Sequence, residues 1–348
     1  MLLEISQTKI VFMNKKIRLR KFLISGFILV ILSVSFQSLM AQPKTQLEFR
    51  KDKTFSIAQF TDLHVNIHSP KLSLTLGTIK NVLETEKPDL AILTGDVVVA
   101  VPAKDGWLAL AKVFENAKTP WAVTLGNHDG EPGITRDQVF ELLVTLPWFV
   151  GTKGPELSGC GNYALPVKAY DGKAIAAVIY CIDSNDYPKD RKISNYDWIK
   201  FDQVAWYRST SDQFKASNNG LQVPSLAFFH IPLIEYKDMA AKGNLVGENK
   251  EAVSTSDLNS GLFASMVEKM DIMGVFVGHS HNDNYIGIEH NIALAFGEVT
   301  GADGYGQLER GSRIIELHEG KFSFDTWIRT KSGTQFKFNY PNPPLPTK

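Results

Sequence analysis

Between Phe55 and Asp129 three short apolar stretches each end in polar residues of a restricted kind: FSIAQFTDLH (55–64), DLAILTGD (89–96) and WAVTLGNHD (121–129). Runs of this length, rich in Val, Ile and Phe, read as buried β-strands. The segments between them carry helical periodicity. Leu72, Leu76, Ile79 and Leu83 fall on one face of a helix over 72–86, and Trp107–Asn116 and Thr135–Thr145 read the same way. A strand–helix–strand–helix–strand series requires parallel strands with crossover helices. In such sheets ligands bind beyond the carboxyl ends of the strands, which is where Asp62, His64, Asp96, Asn127 and His128 stand.

The second half is richer in strands. Asn162–Val167 and Lys173–Ile182 flank the turn pair Asp171-Gly172 and read as a hairpin. Ser225–His230, Gly274–Gly278, Ile292–Phe296, Ser312–His318 and Lys321–Ile328 read as further strands, with helices over Ile199–Ser211 and Asp257–Met270. Two of these strands again end in candidate ligands: His230, and Gly278-His279-Ser280-His281. The expected fold is α/β, a four-layer αββα sandwich of two mixed β-sheets flanked by helices, with the site at the C-terminal ends of the strands. Gly95, Gly126 and Gly278 are expected to bend the backbone so that the next side chain faces a shared point.

Imidazole, carboxylate and amide oxygen together suit borderline transition metals such as Zn, Mn or Fe rather than Ca. The seven candidates Asp62, His64, Asp96, Asn127, His230, His279 and His281 exceed what one mononuclear site needs. They fit two ions sharing a bridging carboxylate, about 3.5–4 Å apart, able to activate water and clamp phosphate oxygens.

The ordered set D-x-H, GD, GNHD, H and GHxH over residues 55 to 300 resembles the calcineurin-like metallophosphoesterase superfamily. The exported character of the chain and Phe228-Phe229-His230-Ile231-Pro232 resemble its purple-acid-phosphatase-like branch. The resemblance implies that Asp62, His64, Asp96 and His281 bind one metal, and Asp96, Asn127, His230 and His279 the other, with Asp96 bridging. It implies that His128 is no ligand but contacts phosphate and protonates the leaving alkoxide, that Asp129 holds the His128 ring, and that metal-bound hydroxide attacks without a covalent phosphoenzyme. The expected activity is a binuclear metal-dependent phosphomonoesterase. A phosphodiesterase on the same site is the alternative, and a catalytically inactive binding protein a further one. A long-form 5′-nucleotidase, which resembles this catalytic domain plus a second substrate domain, is not expected in a chain of this length. Purple acid phosphatases carry a Tyr ligand three residues after the GD aspartate. Val99 stands there, which leaves open the identity of the two divalent or mixed-valence ions (Fe, Zn or Mn).

Residues 14–36 combine a basic stretch, NKKIRLRK, with the apolar run FLISGFILVILSVSF, followed by a small residue at Ala41. This is the pattern of a signal peptide over 1–41, the run being shorter than the ~20 residues that span a bilayer. The expected mature chain is 42–348, one metallophosphoesterase domain with an extended Pro-rich tail, NYPNPPLPTK (339–348), exported to a periplasmic or extracellular space. Of the 348 residues, 37 are basic and 37 acidic. Six of the basic and one of the acidic ones lie in 1–41, so the remainder has 31 against 36, a formal charge of −5. A basic nucleic-acid binder is thereby disfavoured. The expected partner is a small phosphate ester, with no nucleic acid and no stable membrane association after cleavage. The two cysteines are too few for a disulfide scaffold or a Cys-only metal site. Cys160 and Cys181 fall near one another across the predicted hairpin, either bridged or as two buried thiols. His68, His290 and His318 read as loop or turn residues, and Trp198, Trp206 and Tyr207 as core. Gly297–Gly306 follows a strand without the lysine or helix of a nucleotide cradle and is expected at most to wall the cleft.

Overall fold

A computed structural model describes residues 46–341; the predicted signal peptide and the end of the Pro-rich tail lie outside the described residues. Among the described residues, twelve strands form two six-stranded sheets. In the first, β1 (Thr54–Phe60), β2 (Leu90–Thr94) and β3 (Trp121–Thr124) run parallel. β10 (Gly311–His318), β11 (Phe324–Thr330) and β12 (Gly333–Tyr340) extend it antiparallel from β1. In the second, β5 (Ile175–Cys181), β6 (Ser225–Phe228), β7 (Ile272–Val277) and β9 (Ile292–Phe296) are parallel. β4 (Tyr163–Lys168) and β8 (Ile286–Glu289) close its two edges antiparallel. Helices α1 (Leu72–Glu86), α2 (Ala103–Ala117) and α3 (Arg136–Leu143) belong to the first half, and α4 (Phe201–Ser217), α5 (Glu235–Lys242) and α6 (Leu262–Lys269) to the second. This is the expected α/β arrangement of two mixed sheets flanked by helices.

Side-chain alternation shows why the sheets pair. Ala177, Ile179 and Cys181 of β5 join a core with Phe55 and Ile57 of β1, while Val178 and Tyr180 turn outward to Tyr207 of α4 and Met266 of α6. Each central strand is therefore apolar on both faces, the pattern of a parallel sheet covered on both sides. Phe276 of β7 meets Phe324 of β11 with ring centroids 5.7 Å apart, an edge-to-face contact worth about 1 kcal/mol beyond its area. Polar ties also cross between the sheets: Gln59 Nε2 donates to Val277 O at 3.0 Å, and Arg313, fully buried, donates to Phe296 O at 2.8 Å.

Some elements differ from the reading of the sequence. Asn339 and Tyr340 end β12 rather than opening a tail; Tyr340 stacks on Phe324 at 5.1 Å, which explains why the strand continues into the polar segment. α5 and β8 were not expected; β8 is held by pairing to β9 across His290-Asn291, both at positive φ as a tight hairpin turn requires. α3 begins where Thr135 and Gln138 close a capping box. Among the described residues, no helix is long and apolar enough to cross a membrane.

Candidate metal centre

The ends of β1, β2, β3, β6 and β7 deliver the candidate ligands to one place. Asp62, His64 and His281 bring one ligand atom each to within 4.8 Å of one another, and so do Asp96, His230 and His279. His281 Nε2 lies 3.1 Å from Asp62 Oδ1 and 3.2 Å from His64 Nε2. His230 Nε2 lies 3.2 Å from Asp96 Oδ2 and 3.3 Å from His279 Nδ1. Two pairs of imidazole nitrogens face one another at hydrogen-bond distance. Each pair with its carboxylate could hold a cation, which would engage lone pairs that otherwise face one another.

The backbone is forced to make this happen. Asp62, His64, Asp96 and His279 all have φ between 46° and 76°, a region that costs a non-glycine residue roughly 1 kcal/mol or more. Strain concentrated on four candidate ligands, at three strand ends, marks a site that the rest of the fold holds in place. Gly95 shares the left-handed conformation, at φ 84°. Gly278 serves differently: its φ is ordinary, but a Cβ there would lie 1.9 Å from Thr61 Oγ1 and 2.7 Å from Asp62 Oδ2. Its role is close approach rather than the expected bend.

Neighbouring groups fix each ligand. The His230 Nδ1–H donates to Thr94 O at 2.8 Å and the His281 Nδ1–H to Tyr305 O at 3.2 Å, leaving both Nε2 atoms turned to the site. Asp62 Oδ2 accepts from Thr61 Oγ1 at 2.7 Å and from the His279 backbone N–H at 2.9 Å. Asn127 Nδ2 donates to the Tyr187 hydroxyl at 2.9 Å, so the amide is oriented, and its buried Oδ1 is left without any partner. A buried amide oxygen in that condition costs about 1–3 kcal/mol. Burial pushes both site carboxyls up, but the imidazoles outweigh it: His281 holds Asp62, and His230 holds Asp96, well below the ordinary carboxylate range. Conversely burial lowers His230, yet the Asp96 carboxylate wins and raises it to about 9. The site favours positive charge, and the donor set fits transition metals.

His128 sits at the mouth, its ring 6.1 Å from that of His64, and its backbone N–H donates to Asp96 Oδ1 at 2.9 Å. The expectation for Asp129 is not met. Its carboxylate is buried and accepts from the backbone N–H groups of Val97, Val98 and Gly126 at 2.8–3.1 Å, away from the His128 ring. Burial, with Asp96 nearby, raises it to about 6. The carboxylate on His128 is Glu131, whose Oε2 lies 2.7 Å from Nδ1. Glu131 is three residues after His128, and that spacing within a turn was the signal available in the sequence.

A family of known proteins carries this constellation. The calcineurin-like phosphoesterase family matches residues 55–283. The chain belongs to the calcineurin-like phosphoesterase family. As a calcineurin-like phosphoesterase it is a phosphoric ester hydrolase by class, and its relatives are purple-acid-phosphatase-like. It is 31% identical over 324 residues to probable inactive purple acid phosphatase 29 of Arabidopsis thaliana, covering 83% of each chain. It is 29% identical over 332 residues to phosphatase DCR2 of Saccharomyces cerevisiae, covering 85% of this chain and 57% of that one. A dimetal phosphatase from Danio rerio shares the fold at a TM-score of 0.59, with 10% identity, over 82% of this chain and 98% of that one.

Around the candidate metal centre of this calcineurin-like phosphoesterase lies an open cleft of about 190 Å³. Its walls include Tyr196 and Glu251, to which no motif pointed, and Tyr305 of the glycine-rich stretch expected there. Tyr196 packs edge-on against His279 at 4.5 Å and stacks on Tyr187 at 5.9 Å, both from the loop between β5 and α4. Tyr305, from the glycine-rich stretch after β9, lies flat on His281 at 3.9 Å. Glu251 faces it from the segment before α6, with Oε1 accepting from the Tyr305 hydroxyl at 3.0 Å. That segment is pinned by Asp283, which accepts from the backbone N–H groups of Lys250 and Glu251. Cys160 and Cys181 are both free and buried.

Proposed function

We propose that the chain is an exported binuclear metal-dependent phosphomonoesterase. The observation that carries this reading is the Asn127 carbonyl oxygen, buried without a partner beside Asp96 and His279. Asp62, His64 and His281 would hold one ion, Asn127, His230 and His279 the other, with Asp96 between them. Fe, Zn and Mn all suit these donors. Bound there, such ions supply the charge that polarises phosphoryl oxygens and makes water a nucleophile at neutral pH.

The chain's own groups do the rest. Tyr187 and Thr94 hold Asn127 and His230 in the orientation that ligation needs. With Nδ1 engaged by Glu131, His128 keeps Nε2 for the substrate and would pass its proton to the leaving oxygen. Glu131 is the positioning residue for that step. Residues 1–41 would direct export.

Two other readings have support. A phosphodiesterase would use the same groups. An inactive binding protein is favoured by the names of the Arabidopsis relatives, which read "probable inactive". Against the latter, all seven donors and His128 are present. Residues 42–348, loaded with Fe, Zn or Mn, should hydrolyse p-nitrophenyl phosphate faster than bis-p-nitrophenyl phosphate. A faster diester rate, or no turnover of either, would overturn the monoesterase reading.

A further inference from the structure

We infer that Glu251, with Tyr305 and Tyr196, selects phosphate monoesters whose alcohol carries an ammonium group. The inference rests on the monoesterase reading and adds the substrate class to it.

The first observation is charge. Beside the candidate ligands and His128 the cleft is lined by Tyr196, Glu251 and Tyr305; among the described residues, neither Lys nor Arg lines it. The nearby guanidinium groups are committed elsewhere. Arg310 donates to Gly304 O at 2.8 Å and Tyr305 O at 3.0 Å, while Arg191 lies over the Tyr187 ring and donates to Asn195 O. A transferred phosphoryl group is met by the metal centre and His128. A second phosphate or a carboxylate on the leaving group finds no cation there and faces Glu251.

The second observation is how Glu251 is held. Its Oε1 accepts from Tyr305 Oη at 3.0 Å and from the Asn282 backbone N–H at 3.2 Å; Oε2 has only the Asn282 side-chain amide, at 3.4 Å. One oxygen is tied down and the other keeps most of its accepting capacity. The Glu248–Glu251 segment is itself fixed by the Asn284 and Asp283 side chains and by a bridge between Asn249 and Asp283. The carboxylate is thus placed in advance beside the site, with little ordering cost on binding.

The third observation is aromatic. Tyr305 lies with one face on His281 and is 56% exposed, and Tyr196 stands edge-on to His279 on another wall. Tyrosine faces attract ammonium groups, more strongly where water is excluded. A carboxylate and two tyrosines around a metal centre, with no competing cation, form a receptor for an alkylammonium attached to a phosphate ester. A carboxylate within reach of an anion repels it, so the same residue that attracts the one leaving group rejects the other.

The test is a series of isosteric monoesters with leaving groups of charge +1, 0 and −1: O-phosphoethanolamine, propyl phosphate and phosphoglycolate. With metal-loaded protein, kcat/KM should fall in that order, by about tenfold or more from first to last. Affinities measured by calorimetry should follow the same order, so binding decides the matter even where turnover is slow. Glu251→Gln should compress the range to about threefold, and Glu251→Lys should invert it. A flat or inverted order in the wild-type protein, or an order unmoved by either substitution, would overturn the inference while leaving the monoesterase reading intact. Failure of p-nitrophenyl phosphate hydrolysis alongside an intact binding order would overturn the monoesterase reading and leave the recognition site standing.

Discussion

Glu131 Oε2 lies 2.7 Å from His128 Nδ1, whereas Asp129, the immediate neighbour of His128 in sequence, gives its carboxylate to three backbone N–H groups. Two acidic residues of one turn, separated by Gly130, therefore make separate contacts: Glu131 engages the His128 ring and Asp129 braces the loop that carries it.

Glu131→Gln should lower kcat on alkyl phosphates about tenfold with KM little changed, because a poor leaving group needs the proton that His128 would supply. On p-nitrophenyl phosphate, whose phenolate leaves without help, the loss should stay within about threefold. Steady-state kinetics on the two ester types checks this. Equal losses on both would assign Glu131 a structural role only.

Asp129→Asn should act on stability instead. The substituted amide turns a donor toward backbone N–H groups that now find an anionic acceptor, which leaves buried donors unsatisfied at a cost of about 2 kcal/mol. Urea unfolding should show a lower midpoint with unchanged slope. An unaltered midpoint would mean that the brace carries little energy.

Glu298 gives a pH-dependent stability. Its carboxyl is buried, accepts from Asn284 Nδ2 at 2.6 Å, and is pushed by burial from the ordinary 4.5 up to about 7. Below pH 4.5 folded and unfolded chains both hold this proton, and its stabilising effect is complete. Between 4.5 and about 7 the unfolded chain releases a proton that the folded chain retains, so stability is lost as pH rises through that window. The loss is about 3 kcal/mol at most. Glu298→Gln should remove it, and its stability relative to the wild-type chain should rise from pH 4.5 to 7.5, followed by urea titration at each pH. A pH-independent difference would contradict the assignment.

Cys160 and Cys181 should react with a thiol reagent only after unfolding, and then as two thiols. Burial raises each to about 12 and keeps the reactive thiolate scarce. Finding no thiols in denaturant would mean that they had formed a disulfide.

Much of this was legible in the residues. Strand ends such as Thr94-Gly95-Asp96 and Val277-Gly278-His279 announce themselves because an apolar run stops at a turn bearing ligand-type side chains. The parallel core of each sheet follows from strands apolar on both faces, such as Val178 to Cys181. What could not be read depends on distant pairing. β12 is polar along most of its length and exists because Phe324 and Tyr340 stack. The cleft walls come from three loops more than fifty residues apart in sequence: the glycine-rich stretch of Tyr305 is the one expected there, whereas Tyr196 and Glu251 share no motif with it, and tertiary packing alone sets them beside the histidines. Asp129 was misassigned because adjacency in sequence says nothing about which way a side chain turns at the end of β3.

The central claim is that the strand ends hold two ions, and elemental analysis of purified residues 42–348 tests it most directly. Two transition-metal ions per chain are predicted for the wild-type protein. His279→Ala should weaken the second site at least tenfold, leaving about one ion per chain after dialysis and little hydrolysis of p-nitrophenyl phosphate. One ion or none in the active wild-type chain, or unchanged metal content and activity in His279→Ala, would contradict the account.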